Sequence, residues 1–186
     1  MARGDIRYHS GPYRIIALPL KGSETFTEGS VVRITSNGTV AEAADDPAPG
    51  TSHEVGLALQ SGDTGGTRDP LGTFRIPGFG NFNPSNPLPT TNDKINILVP
   101  LSGCVFIGKN KAGTYAQTDV GDTVGFDLTT NTWTFDSGAT NFYGRVIDVL
   151  DVAGSSITSS GGAGIIWLVA MYGGAGQIGA TGTVAA

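Results

Sequence analysis

Apolar and polar residues alternate with a two-residue period through most of the chain, and polar turns interrupt the alternation before a helical repeat can build up. In FTEGSVVRITSNGTVAEA, Phe26 to Ala43, Val32 and Ile34 fall on one face of an extended segment and Arg33 and Thr35 on the other. Ser36-Asn37-Gly38-Thr39 predicts a turn, with Asn-Gly suited to the positive φ angles of type I′, and Val40 and Ala41 open the return strand. Asn37-Gly38-Thr39 also spells a glycosylation sequon, but no secretory signal is recognisable at the amino terminus, so it is read as part of the turn.

A second passage repeats the phrase. In VGDTVGFDLTTNTWTF, Val120 to Phe135, Gly121 stands like Gly29, Val124 and Phe126 like Val32 and Ile34, and Thr129-Thr130-Asn131 turns the chain into Trp133 and Phe135. Upstream, IIALPLKG (Ile15 to Gly22) aligns without gaps on NILVPLSG (Asn96 to Gly103); downstream, HEVGLALQ (His53 to Gln60) parallels NFYGRVID (Asn141 to Asp148). Three blocks in the same order predict an internal duplication. The segments 15–20 and 97–101 are then expected to be equivalent, and so are the hairpins at Asn37 and Thr130. Val32, Ile34, Val124, Phe126, Trp133 and Trp167 should be buried.

The fold class is accordingly all-β: duplicated β-hairpin units forming a β-barrel or sandwich, with a long Phe/Pro-rich insertion loop and extended termini. Residues 1–12 read as an N-terminal arm, 13–60 as the first β unit, and 61–93 as the insertion. Residues 94–173 form the second β unit with its closing strand, and 174–186 a flexible tail. The arm, with Gly4, Gly11 and Pro12, is expected to be mobile in isolation and dispensable for folding.

Composition narrows the function. With 186 residues the chain can bury a real core, about 70% of its unfolded surface. The 29 glycines and 10 prolines punctuate short apolar runs and do not form a low-complexity tract. The longest apolar run, Ile165 to Tyr172, falls far short of the roughly 20 residues of a membrane helix, so no membrane partner is expected. A net charge of −5 speaks against nucleic acid as a partner, although Arg3, Arg7 and Arg14 make the arm basic. Cys104, the single cysteine, sits in the apolar SGCVFIG and reads as a small core hydrophobe in a chain made in a reducing compartment.

The chemistry-bearing patterns are weak. Gly174-Ala175-Gly176-Gln177-Ile178-Gly179 spells GxGxxG, but no helix can follow it to hold a pyrophosphate. Arg3-Gly4-Asp5 is a tripeptide of a kind that arises by chance. His9 and His53 are the only histidines, and neither belongs to a triad, a nucleophile elbow or an HExxH pair. Asp45-Asp46, Asp63 with Asp69, and Asp148 with Asp151 lack the spacing of a calcium loop. No catalytic, cofactor-binding or metal-ligating residue is assigned, and no enzymatic activity is expected. The residue types suited to an interface are Arg3, Arg7 and Tyr8 in the arm and Phe74, Phe79 and Phe82 in the insertion.

The run VPLSGCVFIGKNKAGTYAQTDVGDTVGFDLTTNTWTF, followed by YGRVIDV and IIWLVAM, resembles the small β-barrel capsid decoration (cement) proteins of tailed bacteriophages. There a G-x-V strand, a GD-x-V hairpin, an iG-x-a strand and a V-x-V-x-M/L strand recur in order, and FTEGSVVRITSNGTVAEA with VGLAL repeats the hairpin and glycine strand. The similarity covers roughly residues 15–60 and 95–171. It implies a non-enzymatic protein of the outer capsid surface, synthesised in the host cytoplasm, that stabilises a phage head against internal DNA pressure. The implied partners are the major capsid protein and further copies of the chain, as a trimer or alternatively a dimer. The competing class is a virion host-binding, head-fibre or tail module recognising a cell-surface glycan. Trp133 and Trp167 lie in predicted strands, which leaves such a glycan site without its usual exposed aromatic platform.

Overall fold

The computed structural model describes residues 3–4, 6–21, 24–48, 54–63, 94–157 and 164–172. The described residues are all-β apart from one 3₁₀ turn, Gln117–Asp119. In chain order the strands are β1 (Arg3–Gly4), β2 (Arg7–Ser10), β3 (Tyr13–Pro19), β4 (Thr25–Phe26), β5 (Val31–Ile34), β6 (Val40–Glu42) and β7 (Glu54–Ala58). They continue with β8 (Gly62–Asp63), β9 (Lys94–Pro100), β10 (Val105–Gly108), β11 (Thr123–Thr129), β12 (Thr132–Asp136), β13 (Gly144–Leu150) and β14 (Ile166–Met171). A five-stranded sheet has the order β3-β9-β7-β5-β6, a seven-stranded sheet the order β1-β12-β11-β13-β14-β10-β2, and β4 pairs with β8.

The two large sheets follow one plan. Each half contributes a first strand (β3, β10), a hairpin (β5–β6, β11–β12), a glycine strand (β7, β13) and a last strand (β9, β14), laid side by side in the same order. The register agrees residue by residue. Val32 pairs with Gly56 as Val124 pairs with Gly144, and Ile16 pairs with Ile97 as Phe106 pairs with Val169. Parallel bridges join Leu20 to Val40 and Asn110 to Phe135. The Gly29 N–H donates to the Ala58 carbonyl at 2.8 Å, and the Gly121 N–H to the Val146 carbonyl at 2.9 Å. Gly56 and Gly144 recur for one reason: a Cβ on Gly56 would run into the Leu98 carbonyl oxygen, and one on Gly144 would lie 2.8 Å from that of Ala170, the matching residue on the last strand.

The register corrects one block of the sequence alignment. Residues 15–20 and 97–101 are not counterparts, because β3 and β9 are antiparallel partners in one sheet, with Ile15 opposite Leu98. The counterpart of β3 is β10. The likeness of LPLKG and VPLSG reflects two strands that line the same core and end in Pro19 and Pro100, where the missing N–H costs the ladder little. The turns also differ from expectation. Thr130 and Asn131 both have positive φ, 51° and 60°, so the type I′ turn belongs to the second hairpin. In the first, only Gly38 is left-handed, and the Thr35 carbonyl accepts from the Gly38 N–H at 2.9 Å, giving a longer loop with glycine taking up the extra residue.

The amino-terminal segment is not a free arm. β1 pairs in parallel with β12, and β2 pairs antiparallel with β10, at opposite ends of the seven-stranded sheet. Because β1 and β2 are nearly consecutive, the sheet curls round and the segment closes it. Ile6, between them, is 1% exposed and reaches over Gly108 beside Phe135. The single aliphatic residue within DIRYHS is therefore the anchor that the polar character of the arm conceals.

Two cores result. Leu20, Phe26, Val32, Val40, Ala58, Ile95, Ile97 and Val99 fill the first unit, with Ile16, Leu18 and Ile34 packed half-buried against them. The second unit is built on Phe106, Val124, Phe126, Trp133, Phe135, Trp167 and Val169, and the same cluster includes Val31, Val55, Leu57 and Leu98 from the outward face of the first sheet. The first sheet thus serves as a shared layer. The stretch after β6 fastens the units together: Asp45 Oδ1 accepts from the Leu128 N–H at 2.9 Å, and the Asp46 carboxylate accepts from the N–H groups of Thr140 and Asn141 at 3.0 Å each. Trp133 Nε1 donates to Glu42 at 3.2 Å, and the Tyr143 hydroxyl donates to the Pro47 carbonyl at 2.5 Å.

Candidate interaction surface

Strands β2 and β3 follow each other across a Gly11-Pro12 turn, and each ends its sheet. Gly11 has φ +89°, and a Cβ there would lie 2.5 Å from the Gly103 carbonyl oxygen, so the turn sits directly on the loop leading into β10. The Leu101 N–H donates to the Pro12 carbonyl at 3.2 Å and closes this contact. The strand residues Arg7, Tyr8, His9, Ser10, Tyr13, Arg14 and Ile15 are all exposed.

This edge concentrates exposed apolar area. Tyr8 (37% exposed), Tyr13 (44%), Ile15 (57%) and Leu101 (39%) are four of the eight large hydrophobic side chains exposed among the described residues. The Tyr8 and Tyr13 rings meet edge to face with centroids 4.9 Å apart, and the Tyr8 hydroxyl donates to the Gly11 carbonyl at 2.9 Å. Partial desolvation, followed by the neighbouring Tyr13 and Cys104, pushes the Tyr8 phenol above its ordinary pKa. The ring contact and the hydroxyl hydrogen bond hold the aromatic pair in place, with Arg7 and Arg14 next to it in the chain. Tyrosine and arginine are enriched in protein interfaces because they combine apolar area with directional donors, and a held side chain loses less entropy on binding.

The structure brings Arg7 and Tyr8 together on β2, whereas the Arg3 backbone pairs with Thr132 on β12. Phe74, Phe79 and Phe82 lie outside the described residues, as do His53, Asp69 and the GxGxxG stretch. Sequence reasoning missed Tyr13, Ile15 and Leu101 as surface residues. In YRIIALP both alternating faces carry apolar residues, so the period alone does not say which one meets solvent.

Four of the carboxylates considered for calcium, Asp45, Asp46, Asp148 and Asp151, accept hydrogen bonds from the protein itself. Asp45 and Asp46 hold the second unit, Asp148 accepts from the Val149 N–H at 2.8 Å and from the Ser156 hydroxyl, and Asp151 accepts from the N–H groups of Ala153 and Ser155. Among the described residues no group of three or more His, Cys, Asp or Glu is placed to hold a metal ion, and no helix is long and apolar enough to cross a membrane. Lys111 forms a charged cluster with Asp127 at 2.6 Å and Asp136 at 3.1 Å, where Asp127 is buried and also accepts from the Thr129 hydroxyl. Hydrogen bonds that Lys111 donates to Asp127 first and Asp136 second push its pKa up, which keeps it a cation tying β11 to β12.

Comparison of the chain with protein families, curated proteins and solved structures finds no match.

Proposed function

We propose that the chain is a non-enzymatic capsid decoration protein that binds the outer surface of a phage head through the β2–β3 edge and reinforces the shell against internal pressure. One observation carries the reading. A Tyr8–Tyr13 pair and Ile15 stand exposed with Arg7 and Arg14 on strands paired to β10 and β9, and exposed Leu101 follows β9, a combination suited to docking on another protein. The phrase-level resemblance to cement proteins supplies the kind of partner. Many copies on a lattice would turn modest single contacts into a large stabilisation through multivalency. In this reading the partner is the major capsid protein, and the protein acts as an oligomer, with three copies favoured.

The test is addition of purified protein to tailed-phage heads stripped of their surface proteins, scored by co-sedimentation and heat resistance. Saturation at a fixed ratio and a raised rupture temperature are expected. Tyr8→Ala should weaken attachment about tenfold, the scale of one aromatic interface anchor. Arg7→Glu should weaken it more at low salt than at high salt. Equal survival of treated and bare heads, together with binding on a glycan array, would instead establish the host-binding class.

A further inference from the structure

Away from the β2–β3 edge, exposed apolar side chains gather along one further element. The other four large hydrophobic residues exposed among the described ones are Val120, Ile147, Val152 and Ile165. All four lie on or beside β13. Ile147 sits at the bulge in its pairing with β14, and Val152 follows its end. The Gly121 N–H, next to Val120, donates to the Val146 carbonyl at 2.9 Å, and the Ile165 N–H donates to the Leu150 carbonyl at 2.8 Å.

The next strands continue the apolar character. β14, IWLVAM, has apolar residues on both faces: Trp167, Val169 and Met171 enter the core, so Ile166, Leu168 and Ala170 take the outer face, half-buried. On β10, Val105 and Ile107 do the same, while Phe106 is buried. An antiparallel sheet with one face on a core ordinarily turns polar residues outward. Adjacent strands that turn aliphatic residues outward mark an interaction surface.

The charges around this face select its occupant. The register sets them in rows: Arg7, Ile107, Leu168 and Asp148 run across β2, β10, β14 and β13, and the neighbouring row is Ser10, Val105, Ala170 and Arg145. The first row is basic at one end, acidic at the other and aliphatic between. A copy turned by 180° about an axis parallel to the strands, between β10 and β14, lays each row on its own reverse. Arg7 then meets Asp148 of the second copy, Ile107 meets its Leu168, and Ser10 meets its Arg145. The Asp148 oxygens accept from the Val149 N–H and the Ser156 hydroxyl, and a carboxylate with about four acceptor sites can also take a guanidinium. We propose that the outer face of β10, β14 and β13 is a two-fold contact between two copies of this chain, since an isologous interface requires this self-complementarity. A contact of a few rows is at the low end of interface sizes, where association is transient, so a Kd of about 10–100 μM is expected. The capsid reading is not needed for it: Tyr8 pairs with the inward-facing Phe106, on the opposite face from Arg7.

The test is sedimentation equilibrium of the full chain from about 5 to 500 μM, where conversion of monomer to dimer is expected. Arg7→Glu and Asp148→Lys should each weaken the dimer about tenfold, and the double variant, with the charges exchanged, should restore it to within about threefold. Because Asp148 also holds Ser156, Ile147→Lys supplies a second variant at an exposed position next to it. Its melting temperature should match the parent's, and its dimer should be about tenfold weaker. Tyr8→Ala should leave the dimer as it is, which separates this contact from the capsid-binding edge. A monomer throughout, a trimer in place of a dimer, loss of the dimer in Tyr8→Ala, or a dimer indifferent to both Arg7→Glu and Ile147→Lys would overturn the proposal.

Discussion

Single residues carry much of the conformational specification. Gly56 and Gly144 are needed because a neighbouring carbonyl occupies the space a side chain would take. Gly144→Ala should therefore destabilise the fold by about 1–3 kcal/mol, the range for overpacking a tight site, in a denaturant titration. Cys104 is fully buried, and burial pushes its thiol from an ordinary value of 9.0 up to about 11. The sign follows from linkage: between those values the unfolded chain loses the proton while the folded chain keeps it, so stability is complete below about pH 9 and falls as pH rises toward 11. The Tyr143 phenol is also pushed up, by burial first and Asp46 second, and adds a loss of the same sign at higher pH. Cys104→Ala should consequently lose less stability than the parent between pH 8.5 and about 10.5, measured as the shift in urea midpoint. An identical decline in both would show that the thiol does not titrate on unfolding in this window.

At the scale of elements, the β11–β12 hairpin depends on one buried carboxylate. Asp127 faces Lys111 and Thr129, and the Lys111 N–H also donates to the Phe135 carbonyl at 2.8 Å, the same backbone contact that Lys21 makes to Val40 in the first unit. Only the second unit places an acid opposite the lysine from within the sheet. Lys111→Met should leave Asp127 buried without its cation, at a cost of about 1–3 kcal/mol, below the figure for a fully buried pair because the lysine is itself half in water. Adding Asp127→Asn should recover most of that loss. Thermal unfolding of the two variants tests this, and a double variant as unstable as the single one would place the effect in packing instead of charge.

For the whole molecule, the decisive feature is closure of the second unit by residues from the beginning of the chain. Ile6→Ala should cost about 2–5 kcal/mol, as for other large-to-small changes in a core. Removing residues 1–10 should strip β10 of its outer neighbour, and the second unit should lose exchange protection before the first. A truncated chain with unchanged melting temperature would reduce the segment to a surface strap. Pairing β1 with β12 and β2 with β10 also joins distant parts of the sequence, so closure should be a late step in folding.

The sequence by itself determined the all-β class, the two hairpins, the glycine strands and the burial of Val32, Val124, Phe126, Trp133 and Trp167, because period-two alternation and turn chemistry are local properties of the chain. It also determined the duplication, through Gly29 and Gly121 and through Gly56 and Gly144, since each pair answers the same steric demand. Tertiary structure alone decided which strand is the counterpart of which, because β3 and β9 line one core and so share a composition that aligns them wrongly. It decided that a polar-looking arm is structural, because the burial of Ile6 depends on a gap between β10 and β12 that no local pattern records. Tyr13 and Ile15 came to the surface for a related reason: both faces of β3 are apolar, and only the placement of the second unit against β5, β7 and β9 settles which of the first sheet's outward residues are covered and which remain in water.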